Sequence, residues 1–311
     1  IPIRINLSAS FINNAMRIKA KMPMNKKIIF EVMPYPKAAS ESYADKITDK
    51  IVDAVNAMEN VSIINIPEIV EENHIGQPYY RNTDPRVFGK VLGEKCSKEI
   101  MVNTVVVHHK SKVAFERWLD ESIGKYGVKN FVFVGAKIPS IRYPGPSVTE
   151  ANSIANKKGV NFGNIFIPDR PEEAERLLSK TRSGCNFFTS QVLFDPDTAI
   201  NVIKQYLKKC EISNLKPAKF YLSLAPVGNE EDVIFIKWLG AEINEDTEKR
   251  LLDSKNMGEE SVELLLELIG KIKDFSNYNK KVEIGLNIEY IMLHNLDLAK
   301  NLVTRASDLL D

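Results

Sequence analysis

One glutamate, Glu31, interrupts an apolar run between Phe30 and Val32. Its segment, KKIIFEVM, reads as a strand stopped by Pro34 and Pro36. A carboxylate among apolar neighbours is costly unless it is used or paired. Burial raises its pKa, which suits a general acid near neutral pH; a structural ion pair with a loop arginine is the plainer alternative. Gln191 lies late in a second apolar run, Phe187 to Leu193. Its amide both donates and accepts, so it suits the polar edge of a heterocycle, or else it is an internal amide satisfied by backbone. His108 and His109 close the run Val102 to Val107. One can face a site while the other packs outward, and either can be a hydrogen-bonded scaffold residue. Arg170 follows the run Phe162 to Ile167 and could hold a phosphate or carboxylate. Tyr143, in the loop KIPSIRYPGP, can stack or hydrogen-bond, and Gly145 to Ser147 could present amides at a helix start. Lys180 and Arg182 end a helical stretch, where a cation suits the dipole; a solvated helix face is the ordinary reading of such residues.

The elements that must position these residues alternate regularly. Strand signals fall at Lys26–Met33, Val61–Ile66, Val102–Val107, Asn130–Val134, Phe162–Ile167, Phe187–Leu193, Lys219–Leu224 and Val282–Ile291. Helical stretches separate them: Ser40 to Ala57, Pro85 to Cys96, Val113 to Tyr126, one from Ser147, Glu172 to Arg182, Asp195 to Cys210, two or three ending with Glu259 to Phe275, and a closing one from Leu296 to Leu310. A strand, a short helix and another strand between Asn161 and Asp195 form a βαβ unit, which implies parallel strands. Eight such strands, with no long linker and no evident internal repeat, predict a (β/α)8 TIM barrel over residues 24–311, preceded by an N-terminal extension over residues 1–23. A doubly wound open sheet is the rival, but FEVMPYP lacks the glycines of a dinucleotide fingerprint. In a barrel, chemistry sits at the C-terminal ends of the strands, where Glu31, His108, Arg170 and Gln191 fall.

Composition narrows the function classes. The 42 basic residues nearly cancel the 41 acidic ones, leaving +1, so the chain does not bind nucleic acid through a basic field. Three scattered cysteines without a CxxC pair read as reduced thiols of a cytoplasmic protein. Four histidines without HExxH or HxH spacing predict no metal site. No run approaches the roughly 18 apolar residues that span a bilayer. The oligomeric state is open, and a homo-oligomer is compatible with the sequence.

With these residues placed, the chain resembles the methylenetetrahydrofolate reductase family from about Lys26 to Leu310. Two stretches carry the resemblance: FEVMPYP and KTRSGCNFFTSQVLFD, with NIEYIMLHNLDLAKNLV also similar to the family's last strand and helix. The resemblance implies a (β/α)8 flavoprotein oxidoreductase of one-carbon metabolism. Such enzymes use FAD and NAD(P)H to reduce methylene-tetrahydrofolate to the methyl form. It places Glu31 on the general acid that activates the folate and Gln191 on the folate-binding glutamine. Lys180 falls on a lysine contacting the FAD phosphates, Glu173 on an acidic cofactor contact, and Tyr143 on a tyrosine of the FAD site; His108 or His109 falls near its histidine, and Arg170 near another. Where the family has Arg-Gly-Asp after the fourth strand, this chain has Val134-Gly135-Ala136, so a cofactor contact and a carboxylate near the flavin ring are gone. The folate side is better preserved than the flavin side. The alternative is a folate- or pterin-binding protein without flavin redox activity, such as the partner of a methyltransferase. The sequence does not choose between folate and a modified pterin, or between NADH and NADPH.

Overall fold

The computed structural model describes residues 28–138, 140–290 and 292–310. The predicted N-terminal extension, residues 1–23, lies outside the described residues, as do Lys26 and Lys27 of the first predicted strand.

In chain order the elements are β1 (Ile28–Glu31), α1 (Glu41–Asn56), β2 (Val61–Ile66), β3 (Glu71–Glu72), β4 (Pro78–Tyr79), α2 (Pro85–Lys95), β5 (Glu99–Val105), α3 (Lys112–Gly124), β6 (Asn130–Val134) and α4 (Val148–Lys157). There follow β7 (Asn161–Phe166), α5 (Glu173–Arg182), β8 (Phe187–Val192), α6 (Pro196–Ile212), β9 (Lys219–Leu224), α7 (Glu230–Trp238), α8 (Glu245–Leu252), α9 (Met257–Tyr278), β10 (Ile284–Glu289) and α10 (Leu296–Leu310). Eight parallel strands close into a barrel in the order β1-β10-β9-β8-β7-β6-β5-β2. This is the predicted (β/α)8 architecture.

Local chemistry sets the helix starts. Ser40, Asp84, Ser111, Ser147 and Asp195 each accept a backbone N–H of the helix they precede, satisfying donors that have no partner within the helix. Pro85 and Pro196 stand at first helical positions, where a missing N–H is harmless. Two details differ from the sequence reading. The third barrel strand begins earlier, at Glu99, and Val106–His108 forms a short 3₁₀ turn, so both histidines leave the sheet. The polar loop after β2 contains an antiparallel hairpin, β3–β4, too short to show a two-residue period.

The strands are apolar on both faces because helices cover the outside and side chains fill the inside. Inside, Ile29, Ile63, Met101, Val132, Phe187 and Tyr221 form a buried floor with Ile165. Each side chain of this kind stabilises by about 1.5–3 kcal/mol when fully buried. Gly163 makes room there: a Cβ at this position would lie 2.3 Å from the Phe187 ring. Two residues further along the same strands, toward their C-terminal ends, the residues change character. Ile29 gives way to Glu31, Ile63 to Asn65, Met101 to Asn103, Phe187 to Thr189 and Tyr221 to Ser223, while β10 contributes Asn287 and Glu289. The alternation of the strand therefore stacks a polar layer on an apolar floor.

Candidate functional site: a polar cavity in the barrel mouth

Above that floor lies a cavity of about 290 Å3. Glu31, Asn103, Thr189, Gln191, Ser223, Asn287 and Glu289 line it on the polar side, with Ile165, Ile167, Ile236 and Leu239 on the apolar side. The structure thus brings together Glu31 and Gln191, the two residues assigned to the folate side.

Glu31 ends β1 and Glu289 ends β10, and the register pairs them. Asn65 donates to Glu31 Oε2 at 2.5 Å. The Asn287 amide nitrogen donates to Glu289 Oε1 and Ser223 Oγ, both at 2.9 Å, and lies 3.5 Å from Glu31 Oε2. Burial pushes the Glu31 carboxyl up to about 7, against the opposing hydrogen bonds of Asn287 and Asn65. Burial and the neighbouring Glu31 charge push Glu289 well above the usual carboxylate range. Among the described residues, no lysine, arginine or histidine lines this cavity.

Several polar atoms here keep their hydrogen-bonding capacity unspent. Asn103 Oδ1, Thr189 Oγ1 and Asn287 Oδ1 are buried without a partner, as is Asn65 Oδ1 behind Glu31. Leaving such groups unpaired costs about 1–3 kcal/mol each, so the cavity suits a ligand with its own donors and acceptors. Sequence reasoning missed Asn65, Asn103, Thr189, Ser223, Asn287 and Glu289. The available signal was a polar residue two places beyond a buried apolar one, repeated on strand after strand.

Gln191 owes its place to an irregularity. Between Thr189 and Val192 the pairing of β8 with β9 shifts register. Ser190 Oγ accepts the Ser223 N–H there at 2.8 Å and donates to the Gln191 carbonyl at 2.7 Å. Such bulges re-aim side chains beside functional sites. Gln191 Nε2 donates to the Leu239 carbonyl at 2.9 Å, so the side chain ties β8 to the segment after α7. It also borders an outer groove of about 460 Å3, which shares Val192 and Ala241 with the inner cavity.

The residues assigned to a flavin fall into two other clusters. His108 Nε2 faces Glu72 Oε1 at 2.7 Å, and the Tyr143 hydroxyl donates to Glu72 Oε2 at 2.7 Å. The His108 side chain is 1% exposed. The β3–β4 hairpin that carries Glu72 is seated on the Tyr143 loop: Gly76, with φ +77°, approaches Ile141 and Tyr143 so closely that a Cβ would meet both at 2.9 Å. His109 packs outward against Phe115 and Trp118. In the second cluster Glu173 is buried beneath the β7–α5 loop and accepts the Ile167 N–H at 3.2 Å. Lys180 Nζ donates to the Ile165 carbonyl at 2.6 Å and lies 3.7 Å from Glu173, while Arg170 lies 3.8 Å from Glu173. Burial pulls the Lys180 ammonium below its ordinary pKa. These groups brace Ile165 and Ile167 from behind the cavity wall.

As placed, this set does not fit FAD. His108 Nε2 and the Tyr143 hydroxyl are spent on Glu72, His108 Nδ1 and Glu173 Oε2 are unpartnered but buried, and Lys180 is bound to a carbonyl. Only Arg170, 38% exposed, keeps an open cation among the five. Val134 and Lys137 occupy the end of β6 and the loop beyond it; Lys137 Nζ lies 5.5 Å over the Trp238 ring.

Fold and site together define a (β/α)8 barrel with an acidic, amide-rich mouth cavity. No family model matches the chain, and no curated protein matches it. Among solved structures, a protein of Clostridium thermocellum, described as uncharacterized and as binding two copies of 5-methyl-5,6,7,8-tetrahydrofolic acid, is similar to it. The TM-score is 0.76 at 20% sequence identity, over 91% of this chain and 95% of that one. A thermostable aldo-keto reductase (TM-score 0.48, 12% identity, 91% and 93% coverage) and the Bacillus cereus spore cortex-lytic enzyme SleL (0.47, 12%, 90% and 74%) also match. Among the described residues, no helix is long and apolar enough to cross a membrane.

Proposed function

We propose that this chain binds a reduced folate or related pterin, with the pterin ring in the mouth cavity, and that it does so without a flavin. The observation that carries this reading is the ring of unpaired polar atoms, Asn103 Oδ1, Thr189 Oγ1 and Asn287 Oδ1, around the Glu31–Glu289 pair. A pterin presents amine, ring N–H and carbonyl groups along one edge of a flat apolar body. Alternating amide, hydroxyl and carboxyl groups answer that edge, and Ile165, Ile167 and Leu239 answer the faces. The cavity suits a ring rather than a whole folate, and the outer groove beyond Gln191 gives a tail room to leave. The tetrahydrofolate-binding barrel from Clostridium thermocellum supports the same ligand class. Equilibrium dialysis with 5-methyl-tetrahydrofolate tests it. Wild type should bind saturably, and Asn103→Leu should weaken binding by about tenfold, the value of one lost buried hydrogen bond. Absence of binding, or an unaffected variant, contradicts the reading.

A second reading is favoured by one observation, the raised pKa of Glu31. A carboxyl with a pKa of about 7 keeps a protonated population at neutral pH and can give that proton to a ring nitrogen. In a methylene-tetrahydrofolate, that protonation opens the methylene bridge to an iminium, and hydride from a reduced nicotinamide completes the reduction to a methyl group. This is the reaction of the methylenetetrahydrofolate reductase family, here with the nicotinamide as direct donor. Oxidation of NADH or NADPH by methylene-tetrahydrofolate without added flavin, abolished in Glu31→Gln, is the expected result. No oxidation with either nicotinamide leaves a binding protein, such as the partner of a methyl-transferring enzyme.

A further inference from the structure

We infer that Glu289 is the proton-holding partner of Glu31: the two carboxyl groups share a single proton at neutral pH, and Glu289 positions that proton for Glu31 to deliver. The inference goes beyond the folate reading and does not require the ligand to be a folate. Four observations carry it. The two residues are register partners at the last positions of β1 and β10, so barrel closure itself sets them side by side. A single Asn287 amide nitrogen donates to Glu289 at 2.9 Å and lies 3.5 Å from Glu31, so both carboxyls fall within reach of one amide. Both line the same cavity, into which each side chain keeps partial exposure. No cation lines that cavity among the described residues to balance two negative charges.

The groups packed around the pair are neutral. β2 contributes Asn65, β5 contributes Asn103, β8 contributes Thr189 and Gln191, and β9 contributes Ser223. A further titratable group beside Glu31 is the buried phenol of Tyr290, which accepts the Met33 N–H at 3.3 Å and is pushed up by burial. Two adjacent carboxylates in such surroundings do not both ionise; one keeps a proton and the pair titrates as a unit. The pair then carries a charge of −1. Giving its proton to a ligand nitrogen leaves two carboxylates beside a newly formed cation, so the net charge of the cavity is unchanged and the new cation lies next to two negative charges. Glu289 is therefore a positioning residue that acts through Glu31.

The test needs no ligand, so its failure is separable from failure of the folate reading. Protein labelled with carboxyl-¹³C glutamate is titrated by NMR as wild type, Glu31→Gln and Glu289→Gln, the variants assigning the two signals. Wild type should show two linked steps, and the upper one should fall by about one pH unit or more in the variant that removes the carboxyl ionising first, a tenfold loss of proton affinity. An upper midpoint left in place by that substitution overturns the proposal, because uncoupled carboxyls keep their own midpoints. Should a variant fail to fold, infrared spectroscopy of a Glu68→Gln background replaces it, since Glu68 is a further buried carboxyl pushed up to about 7. A protonated-carboxyl band at pH 7 that disappears on raising the pH sustains the sharing, and its absence at pH 7 overturns it.

Discussion

Asn65 donates to Glu31 at 2.5 Å, across the boundary between β2 and β1. The bond aims a strand-end carboxylate into the mouth cavity instead of letting it turn to solvent. It also favours the ionised form, yet burial outweighs it and the carboxyl rises to about 7. The site therefore stores an unfavourable charge, and stability should show it.

The pH dependence follows from that. Glu31 and Glu68 are both raised from 4.5 to about 7, each chiefly by burial. Between these values the folded state binds more protons than the unfolded state, so stability falls as pH rises through the window. His109 is lowered from 6.5 to about 4, first by burial, and acts in the opposite sense: stability is lost as pH falls through that range. The two effects partly cancel below pH 6.5, and only the carboxyls act above it. Urea midpoints should fall from pH 6.5 to pH 8, and Glu31→Gln should remove part of the fall, about 1 kcal/mol over that interval. A rising midpoint over that interval would contradict the assignment.

Glu72 locks the hairpin to the barrel through His108 and Tyr143. Glu72→Ala strands the buried His108 imidazole and releases the partly exposed Tyr143 hydroxyl, and should cost about 1–3 kcal/mol in urea denaturation, with Glu72→Gln costing less. Because the same residues are not free to hold a flavin, wild type mixed with FAD and desalted should remain colourless. A retained flavin band would show that the hairpin yields.

Gly163 is predicted to tolerate no side chain. A methyl group would meet the Phe187 ring at 2.3 Å in the barrel floor. Gly163→Ala should destabilise by about 1–3 kcal/mol through overpacking. Pairing it with Phe187→Leu should recover part of the loss, which thermal melting would read directly.

Gln191 supports the wall that separates the inner cavity from the outer groove, through its bond to the Leu239 carbonyl. Gln191→Ala should change stability by about 1 kcal/mol or less, because one partner is near solvent. It should weaken 5-methyl-tetrahydrofolate binding by about tenfold, read by equilibrium dialysis. A large stability loss with intact binding would assign Gln191 to the scaffold instead.

The barrel was legible because eight apolar runs alternate with capped amphipathic helices, and that pattern survives without any knowledge of contacts. Glu31 and Gln191 were legible because each interrupts an apolar run. Glu289 was not, because its meaning depends on β10 closing against β1, a pairing of residues 258 positions apart that no local pattern encodes. Asn65, Asn103 and Thr189 gain their meaning only from the apolar floor beneath them, which local sequence does not show. Glu72 escaped notice because its hairpin is only two residues deep. The resemblance placed His108, Tyr143, Glu173, Lys180 and Arg170 near a cofactor. In the structure the first four are engaged with Glu72, with one another or with backbone, contacts that the spacing of a motif does not reveal.

On the proposed reading, the mouth cavity itself recognises a pterin ring. Calorimetric titration of 6-methyltetrahydropterin, the ring without its tail, into wild type and Thr189→Val tests it most directly. One saturable site is predicted in wild type, weakened about tenfold in the variant by loss of a single buried hydrogen bond. Absence of binding by the bare ring, or equal affinity in both proteins, would contradict it.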